Sequence, residues 1–388
     1  MNICLISSEY PPETGWGGIG TYTYNMAHAF SDSGHEVHVI AQAVGDTSGY
    51  MDKDVYVHRI KPRSIFSPFL RGALDKIKYS FQIYQKIKSI DCEFDIVEAP
   101  EWSAEGFIHS FSNKPLLITR LHTPLFLVKQ IADQKMTTGA KTTNFLEKTQ
   151  TKQSYGITSP TNALAKRISK KWNIDLSSIQ IIPNGINLKK IGSMDIKEKS
   201  LNSDYLVYVG RLEPRKGVHI LAKALPGIFR KYPNLIMVFI GKNLNYRIGT
   251  MKEFIIDVNR EYKENIIFTG FVSDEDKYSL IKHCKLVILP SLWENFPYTC
   301  LESMALGKAI IATKGSGYDE IIEDGRSGFL VEAGNFFSLQ SKIIECLDND
   351  DKISQIEHFS KKRVIEFDVT KVSEKTCKYY KKLIDYNE

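Results

Sequence analysis

The sequence predicts two doubly wound α/β domains in tandem. Three observations carry this: a strand, glycine-rich loop, helix, strand order over residues 2–41, the same order again over residues 205–240, and a polar stretch between them after the turn signal Pro183-Asn184-Gly185. A strand that returns parallel to its neighbour needs a crossover helix, and repeated crossovers build a parallel sheet covered on both faces.

In the first half, residues 2–8 read as a short buried strand and a polar loop runs to Gly20. Tyr22 to Ser31 suits a helix ending near Gly34, and His35 to Ala41 reads as the next strand. The stretch from Asn187 to Asp204 reads as a linker. In the second half, Tyr205 to Val209 is a strand, Gly210 to Gly217 a loop, Val218 to Tyr232 a helix and Leu235 to Ile240 a strand. Val369 to Ile384 carries Val372, Tyr379, Tyr380, Leu383 and Ile384 at helical spacing. The expected domains are residues 1–188 and 189–366, with 367–388 a terminal helix. Ligands of open α/β sheets bind at the carboxyl ends of the strands, so function is expected in those loops and in a central cleft faced by both domains.

The 388 residues suit two domains of ordinary size, and 43% hydrophobic against 25% charged side chains excludes a disordered or fibrous chain. The longest apolar runs, Leu235 to Ile240 and Leu286 to Leu289, fall far short of the roughly 20 residues of a spanning helix. The start, Met1-Asn2-Ile3-Cys4-Leu5-Ile6, has no basic leader, and six cysteines stand singly without Cys-x-x-Cys spacing. A reduced, cytoplasmic setting is expected. The net charge of +6 is informative only where it clusters. It does so at Arg59, Lys61, Arg63, Arg71, Lys76, Lys78, Lys86 and Lys88, interleaved with Phe66, Phe69, Leu70, Ile77, Phe81 and Tyr84. Leu74, Ile77, Phe81, Tyr84 and Ile87 recur at helical spacing, which fits packing on the sheet. The alternative is a patch at the inner membrane surface with weak, salt-sensitive affinity for anionic lipid.

Gly15-Trp16-Gly17-Gly18-Ile19-Gly20 matches the three-glycine dinucleotide fingerprint. The loop is long, however, with Pro11 and Pro12 inserted, and the second strand ends Ile40-Ala41-Gln42 without the usual ribose-binding acid. An NAD-dependent oxidoreductase, a plain turn, and a phosphate or acceptor cradle at a helix N-terminus all remain open. Gly210-Arg211-Leu212-Glu213-Pro214-Arg215-Lys216-Gly217 sets Arg211 and Lys216 near a helix start, where they can neutralise a diphosphate without metal. In Pro290 to Gly307, Glu294 and Glu302 bracket a loop and the first turns of a helix, and carboxylates accept sugar hydroxyls well. His122 follows the apolar run Leu116 to Ile118 and is either a core histidine or a site residue. Asp274-Glu275-Asp276 resembles a metal-binding pattern, but Ser273 with an acid three residues on reads as a capping box. Trp16, Glu101 and Trp102 are candidate acceptor contacts or packing.

In their order and spacing, Gly210 to Leu225, Pro290 to Gly307 and Gly317 to Val331 resemble the retaining glycosyltransferases of family 4. The N-terminal glycine loop, His122, Ser159-Pro160-Thr161-Asn162 and Pro183-Asn184-Gly185 agree, so the resemblance covers nearly the whole chain. It implies a GT-B fold, with two Rossmann-like domains facing a central cleft, the acceptor held by the first, the nucleotide sugar by the second, and a last helix that crosses back onto the first. Position by position it implies Arg211 and Lys216 at the donor diphosphate, Glu302 at the ribose, and Glu294 at the transferred sugar. Asn295, Phe296, Pro297, Thr299 and Cys300 would line sugar and phosphates, and Phe271 and Val272 the base. His122 would lie near the anomeric centre, and Gly17 and Gly18 near phosphate or acceptor. Phe296-Pro297-Tyr298 departs from a glycine-rich run, which removes one amide donor at Pro297. The implied reaction moves a sugar from a UDP- or GDP-sugar to a hydroxyl of a glycan or lipid-linked acceptor, with no metal or cofactor and no nucleic acid. A nucleotide-sugar-binding protein without turnover is disfavoured, since both glutamates and the Arg/Lys pair are intact.

Overall fold

A computed structural model describes residues 1–15, 17–62, 71–198 and 201–387. The chain divides into two compact units, Met1–Gly185 with Val369–Glu388, and Ile186–Asp368.

Among its described residues the first unit builds an eight-stranded sheet from β1 (Asn2–Ile6), β2 (Glu36–Gln42), β3 (Ser48–Asp52), β4 (Val55–Ile60), β5 (Ile96–Pro100), β6 (Leu116–Arg120), β7 (Gly156–Ser159) and β8 (Ile179–Ile181). Their order is β3-β4-β2-β1-β5-β6-β7-β8. All neighbours run parallel except β3 and β4. The chain moves from β1 to β2 on one side and later to β5 on the other, so the strand order switches between β1 and β5. The loop after β1 leads directly into the helix Gly18–Asp32, which starts earlier than the predicted Tyr22.

The second unit holds β9 (Tyr205–Val209), β10 (Ile236–Ile240), the small ribbon of β11 (Asn245–Tyr246) and β12 (Gly249–Thr250), then β13 (Ile266–Gly270), β14 (Leu286–Leu289), β15 (Ile310–Thr313) and β16 (Phe329–Val331). Its main sheet, in order β13-β10-β9-β14-β15-β16, is parallel throughout. The switch here lies between β9 and β14. Side-chain alternation sends Leu206, Tyr208, Met237, Phe239, Leu286 and Ile288 into one apolar layer, and Tyr205, Val207, Val238, Ile240, Val287 and Leu289 into the other. Burial on both faces is why these strands read as unbroken apolar runs.

Three expectations are corrected. Residues 187–204 are not a bare linker: the helix Leu188–Gly192 starts there, capped by Asn187, and Ile191 is buried with Leu188, Met194, Ile196 and Leu201 packed beside it. On the helix Arg71–Ser89 Ile87 enters the core as expected, but its companions there are Ile83 and the partly buried Tyr79, while Leu74 and Phe81 are exposed. Arg59 is no surface cation. It is fully buried, donating to the carbonyls of Tyr10 (2.7 Å), Pro11 (3.4 Å) and Gln42 (3.2 Å) and pairing with Glu13 at 3.2 Å, so it binds the loop after β1 to the sheet. Arg63, Phe66, Phe69 and Leu70 lie outside the described residues.

Candidate active site

In the second unit three loops meet at the carboxyl ends of β9, β14 and β15. The loop after β9 tightens into a single turn, Pro214–Lys216, and ends at Gly217 with φ +67°, a left-handed conformation open to glycine. A Cβ there would stand 1.8 Å from the Pro290 carbonyl oxygen, so the loops are pressed together. Leu292 N–H donates to the Arg215 carbonyl at 2.9 Å, and Gly317 N–H to the Glu294 carbonyl at 2.8 Å. A Cβ on Gly317 would lie 1.5 Å from the Asn295 carbonyl oxygen.

This clamp aims two cations at one carboxylate. Lys216 Nζ lies 2.5 Å and Arg215 Nη1 3.6 Å from Glu294 Oε1. Burial alone would push the Glu294 carboxyl up, yet Lys216, Arg215 and a Ser291 hydrogen bond hold it below its ordinary value, so it is ionised. Arg211, with a side chain 57% exposed, pairs with Glu213 Oε1 at 3.1 Å, an oxygen it shares with Arg215 at 3.0 Å, and does not reach Glu294. Asn295, Phe296 and Cys300 are buried, and Pro297 precedes the helix Tyr298–Ala305, whose start has no side-chain cap. Glu302, one turn into that helix, accepts from Lys277 Nζ and Tyr278 Oη, both at 3.1 Å. Phe271 follows β13 and is 88% exposed, and Val272 is half-buried. Asp274 pairs with Lys277 at 2.9 Å and Asp276 with Lys197 at 2.6 Å, so these acids diverge. Ser273 caps their helix through Asp276 N–H, while the reciprocal capping box of the sequence motif is found instead at Thr250 and Glu253.

In the first unit the loops after β1, β5 and β6 are held by buried carboxylates. Glu105 accepts from Ser8 N–H (3.0 Å), Glu147 from Ser103 N–H (3.2 Å) and Leu125 N–H (3.1 Å), and Glu101 from His122 N–H (2.7 Å). Burial raises all three, Glu101 to about 8 with Glu147 adding to it, and Glu105 and Glu147 to about 7. Ser103 and Ala104 both sit at positive φ (62° and 54°), a costly conformation for residues with a Cβ, and Lys76 donates to Ser103 Oγ at 2.9 Å. The His122 ring packs edge-on against Tyr22 at 5.3 Å. Burial, with Arg120 nearby, lowers it to about 3, so it is neutral at ordinary pH.

Two family descriptions match the chain: "Glycosyltransferase Family 4" over residues 16–190 and "Glycosyl transferases group 1" over residues 192–363. The chain belongs to the group 1, family 4 glycosyltransferases. An uncharacterized glycosyltransferase of Methanocaldococcus jannaschii is 24% identical over 98% of each chain. A phosphatidyl-myo-inositol mannosyltransferase of Mycobacterium leprae is 22% identical over 90% of this chain and 87% of its own. Among solved structures, sucrose-phosphate synthase from Thermosynechococcus elongatus superposes with TM-score 0.81 at 18% identity over 99% of both chains. Anabaena HepE in complex with UDP-glucose does so with TM-score 0.72 at 18% identity, over 98% of this chain and all of that one. The fold of this glycosyltransferase is GT-B, and the oxidoreductase reading of the Gly15–Gly20 loop falls.

The glycosyltransferase departs from expectation at several site residues. Glu101 is fully buried and ties down the His122 main chain, so it offers no carboxylate to an acceptor. Gly17 faces a carboxylate already in place: a Cβ there would lie 2.0 Å from Glu9 Oε2, which also accepts from Gly20 N–H at 3.3 Å. Gly18 opens the helix and has no atom near its absent Cβ. Trp102 is half-buried in the short turn Trp102–Ala104, and Trp16 lies outside the described residues. Sequence reasoning overlooked Arg215 and Lys277. The first stands beside Lys216 in the same basic loop, the one signal available for it. The second, four residues after Ser273, carries none.

Proposed function

We propose that this glycosyltransferase moves a hexose from a UDP- or GDP-sugar to a hydroxyl of a glycan or lipid-linked acceptor, with retention at the anomeric carbon and without a metal ion. The observation that carries the reading is the convergence of Lys216 and Arg215 on ionised Glu294 at the β9/β14 switch. The departing diphosphate gains negative charge as the glycosidic bond breaks. Two fixed cations beside an uncapped helix start stabilise that charge more than they stabilise the ground state. Glu294 would take hydroxyls of the transferred sugar, Glu302 the ribose diol, and Phe271 with Val272 the base. Neutral His122 would face the reacting sugar as a hydrogen-bond partner. The departing phosphate oxygen would accept the acceptor proton on the same face, which gives retention. The UDP-glucose complex of Anabaena HepE and the phosphatidyl-myo-inositol acceptor in the name of the mycobacterial relative favour this class of donor and acceptor. A contact with anionic lipid would use Leu74, Phe81 and Lys88, three exposed side chains of the helix Arg71–Ser89.

The test is a screen of UDP- and GDP-sugars for hydrolysis and transfer, with the anomeric configuration of the product read by NMR. Turnover of one α-linked donor to an α-linked product is the expected result. An inverted product, or no hydrolysis of any nucleotide sugar, overturns the reading.

A further inference from the structure

We propose that Glu36, His38 and Cys92 form a binding site for a divalent transition metal of the zinc type. Among the described residues this is the one place where three such ligand atoms converge, all within 4.8 Å of one another. His38 Nε2 lies 3.1 Å from Glu36 Oε1, and the Cys92 thiol hydrogen-bonds the same carboxylate. The imidazole is fixed from every side. Its other nitrogen, Nδ1, is 2.9 Å from His58 Nε2, its face stacks on Tyr56 at 4.5 Å, and Phe94 packs edge-on at 5.1 Å. A ligating histidine whose second nitrogen is held by a neighbour is the usual outer arrangement of a metal site, because it sets tautomer and ring orientation.

Thiolate, imidazole and carboxylate are the three donor types that zinc accepts, and a set of two anions and one neutral ring balances a charge of +2. Before metal binds, His38 Nε2 faces a carboxylate, which only accepts, so that nitrogen carries the ring proton; binding takes the other tautomer, with Nδ1–H donating to His58 Nε2. Lys86 faces the two rings, and Asp91 and Asp95 flank the thiol. The Cys92 thiol gives up its proton to solvent as the metal–sulfur bond forms, with no change of oxidation state. Glu36 opens β2 and Cys92 stands in the turn before β5, and these strands flank β1 on either side. The ion would therefore clip the amino ends of the sheet. The loops that carry His122 lie at the carboxyl ends, so the clip is separate from transfer and independent of the reading above.

The full chain, stripped with a chelator and dialysed, is titrated with Co²⁺ alone as the optical probe. One equivalent should produce a thiolate-to-cobalt charge-transfer band and tetrahedral visible bands, both bleached by Zn²⁺, and the thermal midpoint should rise. Cys92→Ser should abolish the charge-transfer band, whereas Cys377→Ser, which alters the other cysteine near a histidine, should retain it. Glu36→Gln is exposed and leaves the core intact. It should weaken binding, and His58→Gln should weaken it about 10- to 100-fold through His38. No band in the wild-type chain, or a band that survives Cys92→Ser, overturns the site.

Discussion

Lys216 and Arg215 reach Glu294 and Arg211 does not, and that difference ranks the basic residues of the loop after β9. Truncating a cation whose contact strengthens as charge develops costs about 2.7–4 kcal/mol, a hundredfold or more in turnover. Lys216→Ala is expected to show that loss in kcat, and Arg215→Ala a loss in the same direction. Arg211→Ala should lose less, because its exposed pair with Glu213 is of a kind worth about 0–1 kcal/mol. Equal losses at all three positions would return Arg211 to the diphosphate. Glu302→Ala and Lys277→Ala should instead raise the donor KM with kcat nearly unchanged, because a ribose contact is the same in ground and transition states. Since Asp274 and Asp276 are engaged by separate lysines, full turnover is expected in excess EDTA. Abolition by EDTA with rescue by manganese would defeat that expectation. Glu294, Glu302 and Lys216 were legible as a motif. Their ranking was not, because Arg211, Arg215 and Lys216 differ in direction only once Gly217 at φ +67° turns the loop.

At the scale of elements, the βαβ grammar was legible because strands buried on both faces leave apolar runs, and β9 runs from Tyr205 to Val209 as predicted. Tertiary partners hid the rest. The helix Leu188–Gly192 is polar in sequence and is held by one buried isoleucine and a cap, and Leu74 and Phe81 look like core until Ile83 and Ile87 fill that face. The buried acids of the first unit were equally illegible, since Glu101, Glu105 and Glu147 come together only through loops. Their raised values give a pH prediction. An acid whose folded value lies above its unfolded one binds more protons when folded, so its stabilisation is complete below about 4.5 and is lost as pH rises through 7 to 8. His122, lowered to about 3, acts oppositely, but only below its ordinary value of 6.5. Glu98, also raised by burial, acts in the same direction as these acids. The denaturation midpoint of the first unit should fall between pH 6.5 and 8.5, and Glu101→Gln should flatten that slope. A midpoint independent of pH across that window would show that the three acids are ionised in the fold.

At the scale of the whole molecule, the chain order and the compact units disagree, because the helix Val369–Asn387 belongs with the first 185 residues. Its buried Tyr380 explains the tie. The hydroxyl donates to Glu98 Oε2 at 2.6 Å while Tyr22 donates to Oε1 at 2.9 Å, and the Tyr380 ring packs near Phe30 at 6.0 Å. Arg120, on the neighbouring strand, lies over the Tyr22 ring at 4.7 Å and donates to Asn184 at 2.6 Å. Glu98 is thus a buried acid satisfied by residues from both ends of the sequence. Removing one donor leaves a buried acceptor short of its partner, which costs about 1–3 kcal/mol. Tyr380→Phe should therefore destabilise the first unit by that amount, and removal of residues 369–388 should unfold it, because Phe30 would also lose its cover. Among the described residues the apolar layers of the second unit include none beyond Phe367, so its stability should be unchanged. Hydrogen exchange resolved by segment separates the outcomes. Faster exchange in β1, β5 and β6 with unchanged β9 and β14 is the expected pattern. Equal acceleration in both sheets would mean that the two units unfold as a single cooperative structure, and the tie at Glu98 would then stabilise the entire chain.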